Sequence, residues 1–127
     1  MGENIEKKID INKEKLNTTK LIAKQLLKNM GMKLNCLGFI YWFEAVCMSV
    51  DIEIHNREQP KITQVYFLIA RKFKSNVNNV RKAMSYAYAD LDLKKYFNVP
   101  SKINNTALLI LMKDYVLKEL NNPETKK

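Results

Sequence analysis

One segment decides most of what this chain can fold into: residues 37–52, LGFIYWFEAVCMSVDI. It is long enough for a helix of several turns and is apolar nearly all round, whereas a surface helix is apolar on one face only. Such a helix has to be surrounded by others, so we expect it to be the central, most buried helix of the domain. In this interpretation its aromatic residues belong to the core; they are Phe39, Tyr41, Trp42 and Phe43.

The remaining sequence predicts an all-α protein. Only three Gly and three Pro occur in 127 residues, strand-like alternation is scarce, and apolar residues recur with helical spacing. The length suits one domain, which we place at residues 18–122. Residues 1–17 alternate in charge, which indicates a flexible charged N-terminal arm or a weak helix, and residues 123–127 are expected to form a disordered tail.

Capping residues predict two helix boundaries. Thr18 or Thr19 can cap a helix over KLIAKQLLKNM, and Gly31 can close it in the C′ position. A last helix is expected from about residue 105 to 120, ending before Asn121-Asn122-Pro123.

The charge points to an anionic partner. The formal net charge is +9 and the pI is about 9.5, which fits nucleic acid or an anionic membrane surface without choosing between them. There is no signal peptide, and the longest apolar run, LGFIYWF, is too short to span a bilayer. We therefore expect a cytoplasmic protein.

Residues that could carry chemistry are few. Cys36 and Cys47 have no CxxC spacing and are expected to be reduced packing residues, while His55 is the only histidine, so neither a metal site nor a cofactor is predicted. No catalytic triad, carboxylate pair or P-loop is present. Glu44 is a lone carboxylate, expected at an exposed edge or paired with a lysine. The chain is predicted not to be an enzyme, and no small-molecule substrate is evident.

The segment that predicts a function is residues 65–84, which has the spacing of a helix-turn-helix. Ala70 is the small residue that allows two crossed helices to approach, and Val80, ten residues later, returns to the core. Val77 and Met84 are expected to share the core-facing side of the second helix.

The turn of this motif departs from the usual pattern. Lys74 stands where a glycine is common, and a left-handed conformation is costly for lysine, so we expect a longer or differently shaped turn. Asn76 or Ser75 can cap the second helix.

The outer face of the second helix carries side chains suited to DNA. Asn can bond adenine bidentately, and Arg and Lys bond guanine or phosphate. Residues 61–82 contain six basic residues and no acidic residue, a footprint of phosphate binding. The residues predicted to contact bases are Asn78, Asn79, Arg81, Lys82 and Ser85. Those predicted to contact phosphates are Lys61, Arg71, Lys72, Lys74 and Ser75.

Three ordered segments carry a resemblance to a known family. The first contains Gly31 and then Gly38, Phe39, Tyr41, Glu44, Ala45 and Met48; the second contains Tyr66, Ile69, Ala70, Arg71, Lys72 and Phe73; the third contains Val80, Lys82, Ala83, Met84 and Ala87. Over about residues 20–120 this order resembles the C-terminal effector domain of the stage-zero sporulation response regulator.

The resemblance implies a compact bundle of about six helices with an embedded helix-turn-helix. Residues 65–73 would be its support helix and residues 76 to about 89 its recognition helix. It also implies sequence-specific binding to promoter DNA, often by tandem copies on repeated sites. The expected protein is a bacterial, nucleoid-associated transcriptional regulator that binds double-stranded DNA as a homodimer or as tandem copies.

Two departures from the family pattern bear on function. The chain begins too close to the effector-like region to hold the family's receiver domain, so we expect no phosphorylation control by that route unless the chain is a fragment. The family has Arg, Glu and Arg around the motif valine, and this chain has Asn79, Arg81 and Lys82; Ser85 replaces a further basic residue. We expect a different target, richer in A·T, or a weaker sequence preference. The alternative function is a protein-interaction module or antagonist that kept the fold and lost operator binding.

Overall fold

The computed structural model describes residues 2–56, 58–97, 99 and 103–122, with side chains from Lys13 onward. Within these ranges the chain is all helical, with five α-helices and no strand. The helices are α1 (Gly2–Asn29), α2 (Leu37–Asn56), α3 (Ile62–Lys72), α4 (Val77–Tyr88) and α5 (Asn105–Leu120), and a single 3-10 turn, Leu93–Lys95, lies between α4 and α5. The described residues thus hold one α-helix fewer than expected. The predicted tail, 123–127, lies outside them.

Helix α2 is the central element, as predicted from its all-round apolar surface. It packs against each of the other four helices, and its core residues include Trp42, Ala45 and Val46, which are fully buried. On one side α1 and α5 pack against each other, and on another α3 packs against α4. The structure confirms the last helix at the predicted residues.

Helix α1 is longer than the sequence predicts. The expected start at Thr18 or Thr19 is wrong, because α1 runs through both residues without a break. Their hydroxyls donate to the carbonyls of Glu14 and Lys15, four residues earlier, at 2.9 and 2.8 Å. Threonine makes this bond inside a helix as readily as it caps one, so residue type alone does not separate the two roles.

The end of α1 is the one that Gly31 predicts. Gly31 has φ of 87°, the left-handed conformation that glycine adopts without strain. Its N–H donates to Lys28 O, and the N–H of Met32 donates to Leu27 O, at 3.0 and 3.1 Å. These are the two hydrogen bonds of a Schellman motif. They turn the chain back toward α2.

The connection from α3 to α4 is short, contrary to the expectation of a longer turn. Lys74 itself takes the left-handed conformation, with φ of 54°. The N–H of Ser75 then donates to Ala70 O at 2.8 Å, which closes a Schellman-type end on α3. Asn76 is the N-cap of α4, as predicted, since its side chain accepts from the N–H of Asn79 at 2.8 Å. Lys74 therefore takes the left-handed conformation that glycine usually takes at the end of a helix.

The contact between α2 and α4 is unusually close at Gly38. A Cβ atom there would lie 2.5 Å from Ala83 O and 2.5 Å from Ala87 Cβ. Further along α2, the indole N–H of Trp42 donates to Met84 O at 2.8 Å and fixes α4 in place. The position of α4 is thus set by the absence of one side chain and by one buried hydrogen bond.

Candidate nucleic-acid interface

The inner face of the α3–α4 pair is nearly the one that the spacing predicts. Ala70, Val80 and Met84 are all buried, and α3 packs against α4. Val77 is the exception, because its side chain is 39% exposed. It is the first residue of α4, next to the turn, where its side chain is only partly covered. The prediction that Val77 faces the core is wrong.

The outer face of α4 gathers four of the residues predicted to contact bases. The exposed side chains are Asn78, Asn79, Arg81 and Lys82. Arg81 Nη2 donates to Asn78 Oδ1 at 2.7 Å, so these two side chains form one joined polar group on the helix surface. Both keep further donors free for a base edge, because a guanidinium has five N–H bonds and an amide has two.

Ser85, the fifth residue predicted to contact bases, lies elsewhere. It is half-buried, and its hydroxyl donates to Asn105 Oδ1 of α5 at 3.2 Å. It therefore faces α5 and not the exposed face of α4. The expectation failed because the partner lies twenty residues further along the chain, where helical spacing gives no information.

Asn105 is the residue that the sequence did not reveal. Its Nδ2 donates to Tyr66 Oη at 3.0 Å and to Arg81 O at 3.2 Å, while its Oδ1 accepts from Tyr88 Oη at 2.7 Å and from Ser85. Two donors and two acceptor positions of one amide are thus all used. This buried side chain joins α3, α4 and α5. Its signal in the sequence, the Asn104-Asn105 pair, predicts only a helix cap.

The phenols around Asn105 are held in their neutral form. Burial raises the pKa of Tyr66 above its ordinary value of 10.0, although the bond from Asn105 works against that shift. Burial also raises the pKa of Tyr88, and the neighbouring Tyr66 adds to the effect. The network therefore keeps its hydroxyl protons throughout the neutral range.

The residues predicted to contact phosphates fall into two places. Arg71, Lys72 and Lys74 are exposed around the turn, and Ser75 is half-buried within it. Lys61 is exposed at the start of α3, about 16 Å away along the helix axis, given a rise of 1.5 Å per residue. The structure brings together four of the five residues and leaves Lys61 apart.

Glu44 is the one acidic group that contacts this basic surface among the described residues. Its Oε1 lies 2.9 Å from Lys72 Nζ, and the pair links α2 to the end of α3. The expectation that Glu44 is paired with a lysine is confirmed. Because its ammonium group is already paired with a carboxylate, Lys72 should attract a phosphate less strongly than Arg71 or Lys74.

Other site chemistry is sparse in the described ranges. Cys36 and Cys47 are free thiols, Cys47 within the core, and no three His, Cys, Asp or Glu side chains cluster as a metal site would require. None of the helices described is long and apolar enough to cross a bilayer.

No protein-family model, curated protein or solved structure matches this chain.

Proposed function

We propose that this chain is a DNA-binding transcriptional regulator, in which α3 and α4 act as a helix-turn-helix and α4 enters the major groove of double-stranded DNA. The observation that carries the proposal is the charge of this helix pair: residues 59–89 contain six basic residues and no acidic residue, and all six basic side chains are exposed. The resemblance to the sporulation effector domain supports the same function. A regulator of this kind would act on the nucleoid of a bacterial cell, as a homodimer or as tandem copies.

The proposed roles follow from exposure and bonding. Asn78 and Asn79 suit adenine edges, and Arg81 and Lys82 suit guanine edges. Two further side chains, Arg71 and Lys74, are exposed next to the start of α4 and suit phosphates on either side of the groove. Their positions around the turn would fix the depth and angle at which α4 docks.

Titration of random-sequence duplex DNA at several salt concentrations tests the proposal. We expect micromolar binding with a steep salt dependence, because lysine and arginine release counterions from the phosphates that they neutralise. Arg71→Gln and Lys74→Gln should each lower the slope of log K against log salt by about one unit. Lys118→Gln, an exposed lysine at the end of α5, is the matched control and should leave the slope unchanged. An absence of binding by the folded wild type at low salt would refute the proposal.

An alternative function, a protein-interaction module without operator binding, draws support from the other end of α4. Tyr86 is 76% exposed and Leu37 is 59% exposed, and both border a cleft of about 280 Å³ beside Gly38. Large apolar side chains that are exposed together are typical of protein contacts. The same titration separates the two functions, since this module would stay folded and leave the duplex unbound. If DNA binds, selection from a random DNA pool would give the operator.

A further inference from the structure

A second basic segment lies outside the α3–α4 pair. Residues 15–43 contain five lysines and no acidic residue. The lysines are Lys15, Lys20, Lys24, Lys28 and Lys33. An exposed lysine on its own is an ordinary solvated residue. A run of lysines without a single carboxylate is different, because pairs of oppositely charged side chains normally stabilise a solvent-exposed helix.

The geometry of α1 places four lysines in one row. With 100° of rotation per residue, Lys20, Lys24 and Lys28 of this segment and Lys13, which precedes it beyond Glu14, fall within about 80° of one another around the helix axis. All four are exposed, and they run alongside the buried face that contains Ala23. The row is about 22 Å long, from the rise of 1.5 Å per residue. We call these four residues the α1 lysine row.

Nothing within the described residues neutralises this row. None of its members takes part in an ion pair there. Lys20 and Lys24 are four residues apart, as are Lys24 and Lys28, and like charges at that spacing repel and destabilise a helix. Among the described residues, Lys20, Lys24 and Lys28 thus form an arrangement that works against the helix, as expected of a surface whose counter-charge comes from a partner.

The helix that carries the row and the helix that ends in the basic turn, α1 and α3, both pack against α2. Leu16 and Thr19 of α1 line a groove together with Cys47 of α2. The charges of Lys20 and of Lys72 on α3 both act on the Cys47 thiol. Lys72 in turn pairs with Glu44, one turn before Cys47. Helix α1 and helix α3 thus both pack against α2, the one through the side that faces Cys47 and the other through the Lys72–Glu44 pair.

We propose that the α1 lysine row is a second binding surface for the phosphate backbone of duplex DNA, reached by the same duplex that α4 reads. This inference rests on the proposed function and extends it. One turn of B-DNA is about 34 Å long, so a row of about 22 Å can follow the backbone over more than half a turn. Its contacts are with phosphates alone and would add affinity without sequence preference.

The test uses two variants of equal charge. In the row variant, Lys13, Lys20, Lys24 and Lys28 are each replaced by Gln. In the control variant, Lys33, Lys94, Lys95 and Lys118, which are exposed elsewhere, are each replaced by Gln. Glutamine favours helix about as well as lysine, and circular dichroism verifies that both variants fold. Binding to random-sequence duplexes of about 10 and 20 base pairs, roughly one and two helical turns, is then measured across a salt series.

We expect the row variant to lower the salt slope on the longer duplex by about 3 to 4 units, near 0.9 per phosphate. The control variant should lower it by less than one unit. The wild type should gain affinity from the longer duplex, and the row variant should lose that gain. Replacing the same four lysines by Arg should preserve both the slope and the gain. If the row variant does not fold, Lys20→Gln with Lys24→Gln should lower the slope by about 2 units.

The outcomes separate the inference from the proposed function. If the Arg71 and Lys74 variants lose slope while the row variant matches the wild type, the inference is wrong and the proposed function stands. Equal losses in the row and control variants would show a general charge effect and also overturn the inference. If the wild type binds no duplex, both the inference and the proposed function are refuted.

Discussion

Lys74 is the residue on which the turn into α4 depends. It holds a left-handed backbone conformation that costs a residue with a Cβ atom about 1 kcal/mol, and glycine would adopt it freely. The charge of Lys74 is useful to the proposed function, whereas its backbone conformation is a strain on the fold. The two effects can be measured apart.

We expect Lys74→Gly to raise the free energy of unfolding by about 1 kcal/mol, because it removes the strain of the left-handed position. Urea denaturation measures this. Lys74→Ala keeps the Cβ atom and the strain, so its stability should stay near that of the wild type. Both variants should lose the same unit of salt slope in DNA titration. A Gly variant no more stable than the Ala variant would contradict the prediction.

Lys113 is the other residue whose environment is unusual, because its side chain is only 1% exposed. Its Nζ lies 3.0 Å from Glu53 Oε1 and 3.1 Å from Asp114 Oδ1, and it also donates to Gln59 Oε1. All three protons of the ammonium thus have acceptors. The contacts join α5 to the end of α2 and to the connector that leads into α3.

Lys113→Met should lower the free energy of unfolding by about 3 kcal/mol, since it leaves the Glu53 carboxylate without its cation. Thermal or urea denaturation provides the measurement. The double variant with Glu53→Met should recover most of that loss, because the two apolar side chains can then pack together. If the double variant is as unstable as the single one, packing rather than the ion pair accounts for the role of Lys113.

At the scale of the helix, the crossing of α2 and α4 depends on Gly38. Gly38→Ala would place a methyl group 2.5 Å from Ala83 O and from Ala87 Cβ. We expect a loss of about 1 to 3 kcal/mol in the free energy of unfolding, as is usual for overpacking. Ala87→Gly should rescue this variant only in part, because the Ala83 carbonyl remains. Full rescue would show that α4 shifts easily against α2. It would contradict the conclusion that Gly38 holds α4 in a fixed position.

Helix boundaries were predictable where the signal is local to the chain. Gly31 and Asn76 act through their own backbone and side chain within a few residues, so sequence alone assigns their roles correctly. The prediction that Thr19 caps the start of a helix failed because its hydroxyl can also donate to the carbonyl four residues earlier within a helix. The prediction for Ser85 failed, and the role of Asn105 beyond the start of α5 was missed, for a different reason: their hydrogen bonds are made with partners on another helix. Lys74 shows a third case, in which the turn geometry overrides the residue's own preference.

At the scale of the whole molecule, three groups whose pKa values are raised make stability depend on alkaline pH. Burial raises the pKa of the Cys47 thiol from its ordinary value of 9.0 to about 12, with a further contribution from Glu44. Burial raises the pKa of Tyr66 and of Tyr88 as well. In each case the folded state holds a proton that the unfolded chain gives up at lower pH. This stabilisation is complete below pH 9 and is lost as the pH rises toward 12.

The free energy of unfolding should therefore fall steadily between pH 9 and 12. Denaturation in urea at a series of pH values measures it. Cys47→Ala removes one of the three groups, so its curve should start lower, because of the lost packing, and should fall less steeply. A curve parallel to the wild type would show that the thiol does not contribute. Thiol labelling gives a second measure, since half-buried Cys36 should react in the native state and Cys47 only after unfolding.

The close spacing of the lysines in the α1 lysine row affects how the stability of the protein depends on salt. Added salt screens their mutual repulsion, so the free protein should melt at a higher temperature in concentrated salt. The same salt returns counterions to DNA and weakens any complex. Folding and binding should therefore respond to ionic strength in opposite directions, and a polyanion should stabilise the fold most in dilute buffer, where the free protein is weakest.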